Sequence, residues 1–369
     1  SSKMRVMLLS LIRFVILCAG LIVPYSYAQE AIAEPPASLH PSSRWIAASW
    51  DDLAGSFDDN PREAVSAWLA SCTRPQAAWR KACSELSAIK NADAEVIRIW
   101  MMGRLQPYRI ESQTAAANAN IGLLTGYFEP VLPARRVADA TFRYPLYRLP
   151  LDLERGKIGR VWFTREEIDT AGSPAQQALA GRAIAYLESP LDALSLQIQG
   201  SGQLDLLRPD GTHERIRLAF AGSNNQPYKS VGAWLRDAHG VRDLSWPGIK
   251  AWAQNNPDQI DRLMWSNPRV VFFKERPASN EGPIGAQGLP LTAGRSIAVD
   301  PKSIPYGTPV WLASSGAVVN LKRLVIAQDT GSAIVGAVRA DYYVGSGDAA
   351  GEIAGKLKRS LQMWALWPK

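Results

Sequence analysis

The sequence is poor in the residues that most metal and nucleophile chemistry uses. Of its 369 residues only three are cysteine and three are histidine, His40, His213 and His239. Histidines so scattered leave no zinc-ligand spacing, so neither a metal nor another cofactor is expected. Three cysteines exclude a disulfide-dense small scaffold. No block of lysine and arginine accompanies the formal net charge of +7, so nucleic acid is not an expected partner. Gln199-Gly200-Ser201-Gly202 does not match the nucleophile elbow, and no histidine stands near it, which argues against a serine hydrolase. A Walker loop, a dinucleotide-binding glycine fingerprint and internal repeats are missing too. What remains is a globular composition, 47% hydrophobic and 20% charged, with room for about two domains.

The most apolar stretch lies at the start. Leu8 to Val23 is interrupted by Ser10 and Arg13, broken by Pro24, and followed by Ser26-Tyr27-Ala28. The short uninterrupted run and the internal arginine read as a signal peptide over residues 1–28, cleaved after Ala28, rather than as a membrane anchor. Cleavage removes Lys3, Arg5 and Arg13 and no acid, so the net charge falls by three. Lipid attachment at Cys18 needs a small residue before it, and Leu17 stands there, which disfavours a lipoprotein. Cys72 and Cys83 are then the only pair in an oxidising compartment, where a disulfide between them would fasten two helices.

Residues 29–45 are rich in proline, serine and alanine and read as a flexible lead-in. Helical spacing follows in Val65-Trp68-Leu69-Cys72, in Trp79-Ala82-Cys83-Leu86 and over Ala92 to Leu105. Beyond Pro107 short strand-like runs alternate with turn residues: Leu123 to Phe128, Val161 to Thr164, Leu194 to Gln199, Arg215 to Phe220 and Arg269 to Phe273. A helical interlude spans Leu235 to Asp261. Strand texture resumes at Ser296 to Val299, Pro309 to Leu312, Leu321 to Ala327 and Ala333 to Val338, before a helix over Ala349 to Leu361 and a tryptophan-rich tail. Thirteen tryptophans suit an exported protein that stacks sugars on flat rings, although Trp68, Trp79 and Trp100 fall on apolar helix faces and read as core.

With histidine and thiol chemistry disfavoured, carboxylates are the remaining candidates. Glycosidic cleavage needs a carboxylic acid whose pKa is raised by shelter, so that it can protonate the leaving oxygen. Asp300, Asp329 and Asp341 each adjoin an apolar or turn-rich stretch in the C-terminal β segment. Taken singly, each also fits an Asx-turn.

Together these segments resemble a known family. Ala298-Val299-Asp300-Pro301 through Pro305-Tyr306-Gly307-Thr308-Pro309, then Asp329-Thr330-Gly331, then Ala340-Asp341 resemble the three-aspartate domain of MltA-type lytic murein transglycosylases. Gly126-Tyr127-Phe128-Glu129-Pro130, Gln197-Ile198-Gln199-Gly200-Ser201 and Gln226-Pro227-Tyr228-Lys229-Ser230 resemble further segments of that family, and the likeness runs from about residue 45 to the end. Ser332, Val335 and Lys229 depart from its usual glycine, lysine and arginine.

The resemblance implies a mainly β fold with N-terminal helices: a double-psi β-barrel from residues 46–125 and 276–369, a second β-barrel inserted at 126–275, and a substrate groove between them. It implies cleavage of the β-1,4 bond between N-acetylmuramic acid and N-acetylglucosamine in peptidoglycan, with the muramic C6 hydroxyl closing a 1,6-anhydro ring. Asp341 would be the acid/base, Asp329 its neighbouring acid and Asp300 structural. Tyr127, Gln199, Ser201 and Tyr228 would meet the glycan. Glycan strands are the expected partner, with other cell-wall enzymes as further candidates. The expected site is the periplasm, peripheral to the outer membrane, with no integral segment after cleavage. The alternatives are a muramidase that uses water and a wall-binding protein that cuts nothing.

Overall fold

A computed structural model describes residues 35–55, 58–114, 117–156, 160–314 and 321–369. The expected leader and Cys18 lie outside the described residues. Fourteen strands are described: β1 (Ser43–Ala47), β2 (Leu105–Ser112), β3 (Gly122–Glu129), β4 (Val131–Ala134), β5 (Tyr144–Tyr147), β6 (Ala183–Leu187), β7 (Ser201–Leu207), β8 (His213–Ser223), β9 (Val271–Pro277), β10 (Ser296–Val299), β11 (Pro309–Ser314), β12 (Leu321–Asp329), β13 (Arg339–Ser346) and β14 (Lys358–Pro368).

Eight of them form one sheet in the order β1-β2-β14-β11-β12-β10-β13-β3. The long β14 pairs through Lys358–Leu361 with β3 and through its later residues with β11 and β2, so β3 and β14 close the sheet on itself. Leu124, Ile297, Val310, Val325 and Met363 fill the interior of this ring and are fully buried. Alternate residues of the same strands, Trp311, Leu324, Ile326 and Trp364, face outward onto three helices, α1 (Val65–Ser71), α2 (Arg80–Ala88) and α3 (Ala94–Arg104). With both faces covered, β11 is buried along its whole length and apolar from Pro309 to Ala313, which is why its sequence shows no alternation.

Tryptophan builds that helix-to-sheet layer. Trp68 meets Trp79 and Trp100 at ring-centroid distances of 5.9 and 5.6 Å, and Trp79 meets Trp367 at 5.7 Å. Cys72, directly after α1, is bonded to Cys83 of α2 with Cα atoms 5.5 Å apart.

The chain leaves the large sheet after Glu129 and returns after β9. Between them lie a four-stranded sheet, β4-β7-β8-β9, and the β5–β6 pair, joined to β4 by a bridge from Arg135 to Tyr186. Leu204, Leu206, Ile216, Leu218 and Phe273 form the core beneath. The expected helical interlude is present as Val231–His239, Trp246–Asn255 and Ile260–Trp265.

Several local expectations are corrected. Leu194 to Gln199 is not a strand but the end of a helix, Pro190–Gln199. Proline occupies its first turn, and Gly200 stops it at φ 80°. Val161 to Thr164 belongs to no strand, although the Trp162 amide donates to Asn224 O at 2.9 Å, and Thr164 caps a short helix over Arg165–Asp169 through Glu167. Ala333 to Val338 is a turn segment through Gly336, φ 118°. The last helix ends at Lys356, and Lys358 to Leu361 are strand, because the alternating Leu361-Met363-Ala365 face is needed inside the ring. Ser43 to Trp45, expected within the flexible lead-in, belong to β1. The Trp45 ring stacks on His40 at 4.7 Å, and its indole N–H donates to Ser303 O at 3.1 Å.

Candidate active site

Strand register builds the site. Asp341 on β13 lies opposite Thr125 on β3 and opposite Ala298 on β10, while Ala298 lies opposite Asp329 on β12. Cross-strand partners share a face, so Thr125, Asp341, Ala298 and Asp329 form a row across four strands. The alanine methyl between the two acids leaves space where a longer side chain would separate them from solvent. Asp329 enters this row through a bulge. The β10–β12 register slips between Ile297 and Ala298, which skips Gln328. The Gln328 side chain turns into the interior, donating to Ala67 O at 2.8 Å and accepting from Ser296 Oγ at 2.6 Å.

The row opens onto a cleft of about 730 Å³. Its opposite side is lined by Ser201 of β7, Ala219 and Phe220 of β8, and Lys274 and Arg276 of β9. Phe220 and Ile284 are half exposed within it, at 50% and 52%, and offer apolar surface to a ligand.

Asp341 is half-buried and accepts a hydrogen bond of 2.6 Å from the Thr125 hydroxyl. Burial pushes its carboxyl up from the ordinary 3.8 to about 6. The Thr125 bond and the Arg339 charge oppose that rise, and Asp329 adds the smallest contribution to it. Shelter rather than repulsion from Asp329 is therefore what keeps the acid form populated. Arg339, two residues before Asp341 on the same strand, donates to Thr125 Oγ1 at 2.9 Å and so orients the hydroxyl toward the carboxylate.

Asp329 is held on both oxygens, by the Tyr127 hydroxyl at 2.8 Å and by the Ala286 amide at 2.8 Å. Burial raises its pKa, and these two donors with the Thr330 amide counter the shift. The Ala286 amide reaches it because Gly285 packs against the end of β12, where a Cβ would sit 2.6 Å from Gln328 O. Tyr127 is shifted well above its ordinary value, chiefly by burial and then by Asp329, so it is a hydroxyl donor here.

The remaining expected residues separate into two groups. Tyr127, Gln199, Ser201 and Tyr228 all line the cleft with Asp329 and Asp341. The Gln199 side-chain Oε1 accepts from the Phe128 amide at 3.0 Å and ties the helix end to β3. Asp300 does not line the cleft. Its oxygens accept from the amides of Lys302 and Gly336 at 2.9 and 3.0 Å, joining two turns. Among the described residues no tryptophan lines the cleft; the aromatic surface there comes from Tyr127, Phe220 and Tyr228, so the abundance of tryptophan reports the core. Thr125 and Arg339 escaped the sequence reading. Both stand two residues from a singled-out residue on the same strand, a spacing that places them on the same face. Among the described residues no group of three or more His, Cys, Asp or Glu is arranged to hold a metal ion.

A sheltered carboxyl with its acid form populated near pH 6, opening onto a cleft lined by amides, hydroxyls and rings, is chemically suited to general acid–base catalysis. Comparison with known proteins sharpens that class. A model of the MltA specific insert domain matches residues 123–274 and one of the 3D domain matches residues 295–367. Membrane-bound lytic murein transglycosylase A of Escherichia coli (strain K12) is 34% identical over 252 residues, 66% of this chain and 64% of that protein. The matched part is thus just under two thirds of that relative. The structure of the lytic transglycosylase LtgG of Burkholderia pseudomallei is 39% identical, with 92% of this chain and 97% of that one covered and a TM-score of 0.59. That of E. coli MltA with bound chitohexaose is 26% identical, with coverage of 88% and 94% and a TM-score of 0.69. The chain belongs to the MltA-type family of lytic murein transglycosylases. The curated relative is named membrane-bound, which lends no support to the expectation against lipid anchoring. Among the described residues no helix is long and apolar enough to cross a membrane.

Proposed function

We propose that this chain cleaves the β-1,4 bond between N-acetylmuramic acid and N-acetylglucosamine of peptidoglycan and leaves a 1,6-anhydro ring on the muramic acid. The observation that carries the reading is Asp341, a carboxyl raised to about 6 that faces a long cleft. Asp341 gives its proton to the glycosidic oxygen as the bond to C1 breaks. The C6 hydroxyl of the same sugar then bonds to C1, and its proton goes to the Asp341 carboxylate, which is restored. No water is consumed. The attacking hydroxyl is tethered to the reacting ring, which supplies the entropic advantage that a hydrolase must gain by positioning water. A hydrolase also needs a second carboxylate as base or nucleophile. Asp329 already accepts on both oxygens, from Tyr127 and Ala286, which suits it to shaping the site.

In this reading Tyr127, Gln199, Ser201 and Tyr228 meet the sugars, and Asp300 is structural. The closed ring, six strands round from β3 through β14, β11, β12, β10 and β13, supports a double-psi barrel split between residues 46–125 and 276–369. The separate sheet, which begins at Val131 and runs two residues past the expected boundary to Pro277, supports an inserted domain whose face forms the far wall of the substrate groove. In this reading the enzyme works in the periplasm, and other cell-wall enzymes are candidate partners.

Digestion of purified sacculi with mass spectrometry of the soluble products tests the proposal. Muropeptides ending in 1,6-anhydromuramic acid are expected. Products heavier by one water, with a reducing end, would reassign the chain to hydrolysis, and binding without release would make it a wall-binding protein.

A further inference from the structure

The far wall of the cleft carries charge that the cleavage reaction does not use. Among the described residues five basic ones line the cleft, and three are committed elsewhere. Arg165 is buried and donates to Asn267 O, to Arg269 O and to Gln197 Oε1. Arg269 donates to Gln226 O at 3.2 Å, and Arg339 holds Thr125. Lys274 and Arg276 remain. Both are exposed, and among the described residues neither is in an ion pair.

Register shows why they face the cleft. Ser201, Ala219 and Lys274 form one row across β7, β8 and β9, and Gln203, Arg217 and Arg276 form the next. The Ala219 methyl is too short to cover Lys274. Arg217 is buried and neutralised by Glu129 at 2.7 Å, so its charge is spent inside while that of Arg276 stays at the surface. Glu275 points to the opposite face and pairs with Arg136, so it does not quench its neighbours. Among the described residues the only acids lining the cleft are Asp329 and Asp341, on the other wall. The row therefore presents two cations, one strand-repeat apart at roughly 7 Å, to whatever lies in the cleft.

We infer that Lys274 and Arg276 bind carboxylates of the peptide stem carried by muramic acid, making stem-bearing glycan the preferred substrate over bare glycan. The inference rests on the transglycosylase reading above. Glycan itself is neutral once its lactyl groups are amide-linked, so its hydroxyls and N-acetyl groups give two free cations nothing to pair with. Peptide stems supply carboxylates along the strand. The charges are exposed, so each contact is modest and screened by salt. A cation on an edge strand also discourages sheet-to-sheet pairing, and β9 ends its sheet. That role would fit either face of the strand, whereas both free cations share the cleft face.

The test compares stem-bearing glycan strands with the same strands stripped of peptide by an amidase and then converted to methylamides at the lactyl carboxylates that the amidase exposes, using wild type and Lys274→Gln/Arg276→Gln. The ratio of kcat/KM for stem-bearing to stripped strands is expected to fall roughly five- to tenfold in the double variant. The fall should lie in KM, and raised salt should reproduce it in wild type. An unchanged ratio, or equal loss on both strands, overturns the inference. Equilibrium binding of both strands to both proteins is measured alongside. If wild type releases no anhydro product from either strand, the transglycosylase reading fails, and the binding ratio still decides whether the two cations hold the stem.

Discussion

The two walls of the cleft are built by the same device and carry opposite chemistry. On the large sheet the row Thr125–Asp341–Ala298–Asp329 places acids on either side of an alanine. On the small sheet the row Ser201–Ala219–Lys274 places a hydroxyl and an amine on either side of another. The first row sits on a closed ring backed by a filled interior and a tryptophan layer, and its polar groups are tied to one another. The second lies on an open sheet and ends in an unpaired charge. Proton transfer requires a carboxyl fixed and sheltered, which the closed ring provides. Recognition of a long, variable polymer tolerates exposed groups. The comparison teaches that burial, rather than residue type, separates the chemistry from the binding.

Asp341→Asn breaks the acid wall most severely. The amide keeps the shape and loses both proton transfers, and a single acid–base role is worth about 10²–10⁴-fold, so at least that loss in anhydromuropeptide release is expected. The same variant should be more stable. Between about pH 4 and pH 6 the folded chain retains a proton on Asp341 that the unfolded chain has released, so this group's contribution to stability falls as pH rises through that window. At pH 7 removal of the buried charge should raise stability by on the order of 1 kcal/mol, measured by thermal unfolding. For wild type, kcat/KM should decline as pH rises above about 6, where the donor form is lost. A variant that is both inactive and less stable would mean that Asp341 is structural.

The joint between the walls comes next. Glu129 ends β3, is fully buried, and accepts from Arg217 at 2.7 and 3.2 Å, from Gln203 at 2.8 Å and from Ser346 at 2.8 Å. Arg217 also donates to Ser279 Oγ and Gly282 O on the returning segment, so one ion pair gathers both crossings between the sheets. Arg217→Met strands a buried carboxylate and should cost about 3–5 kcal/mol. Glu129→Gln/Arg217→Met removes both charges and should recover much of that loss. Denaturant unfolding of the two variants measures it. Equal losses in both would show that the pair matters for packing alone.

How far the sequence disclosed this arrangement differs between the walls. The acids were legible because each adjoins an apolar or turn-rich stretch, and because the segments together resemble a family. Their neighbours Thr125 and Arg339 were within reach of strand periodicity alone. The row itself was not, because it depends on register among strands more than 170 residues apart in places and on a bulge that skips Gln328. Leu194 to Gln199 misled because Leu-x-Leu-x-Ile alternates like a strand. The stronger signals were Ser189-Pro190 before it and Gly200 after it, which bound a helix. Tryptophan misled for a different reason: composition counts rings without telling which face they occupy, and the helices claimed them.

The smallest effects should come from the two alanines, and they test the comparison most directly. Ala298 is 3% exposed and Ala219 7%, and each separates the polar members of its row. Ala298→Val inserts two methyl groups between Asp341 and Asp329, where a displacement of about 1 Å can cost ~10²-fold in rate. Neither acid can retreat freely, because Thr125 holds one and Tyr127 and Ala286 hold the other. A loss in kcat of about tenfold or more is therefore expected, with KM little changed. Ala219→Val adds the same bulk beside Lys274, which is exposed and among the described residues is in no ion pair. The lysine can swing aside, so kcat should stay within about twofold and only KM for stem-bearing strands should rise. Steady-state kinetics of the two variants on soluble glycan strands measures both constants. If Ala219→Val lowers kcat as much as Ala298→Val, the small sheet takes part in positioning the reacting sugars, and the division of labour between the walls does not hold.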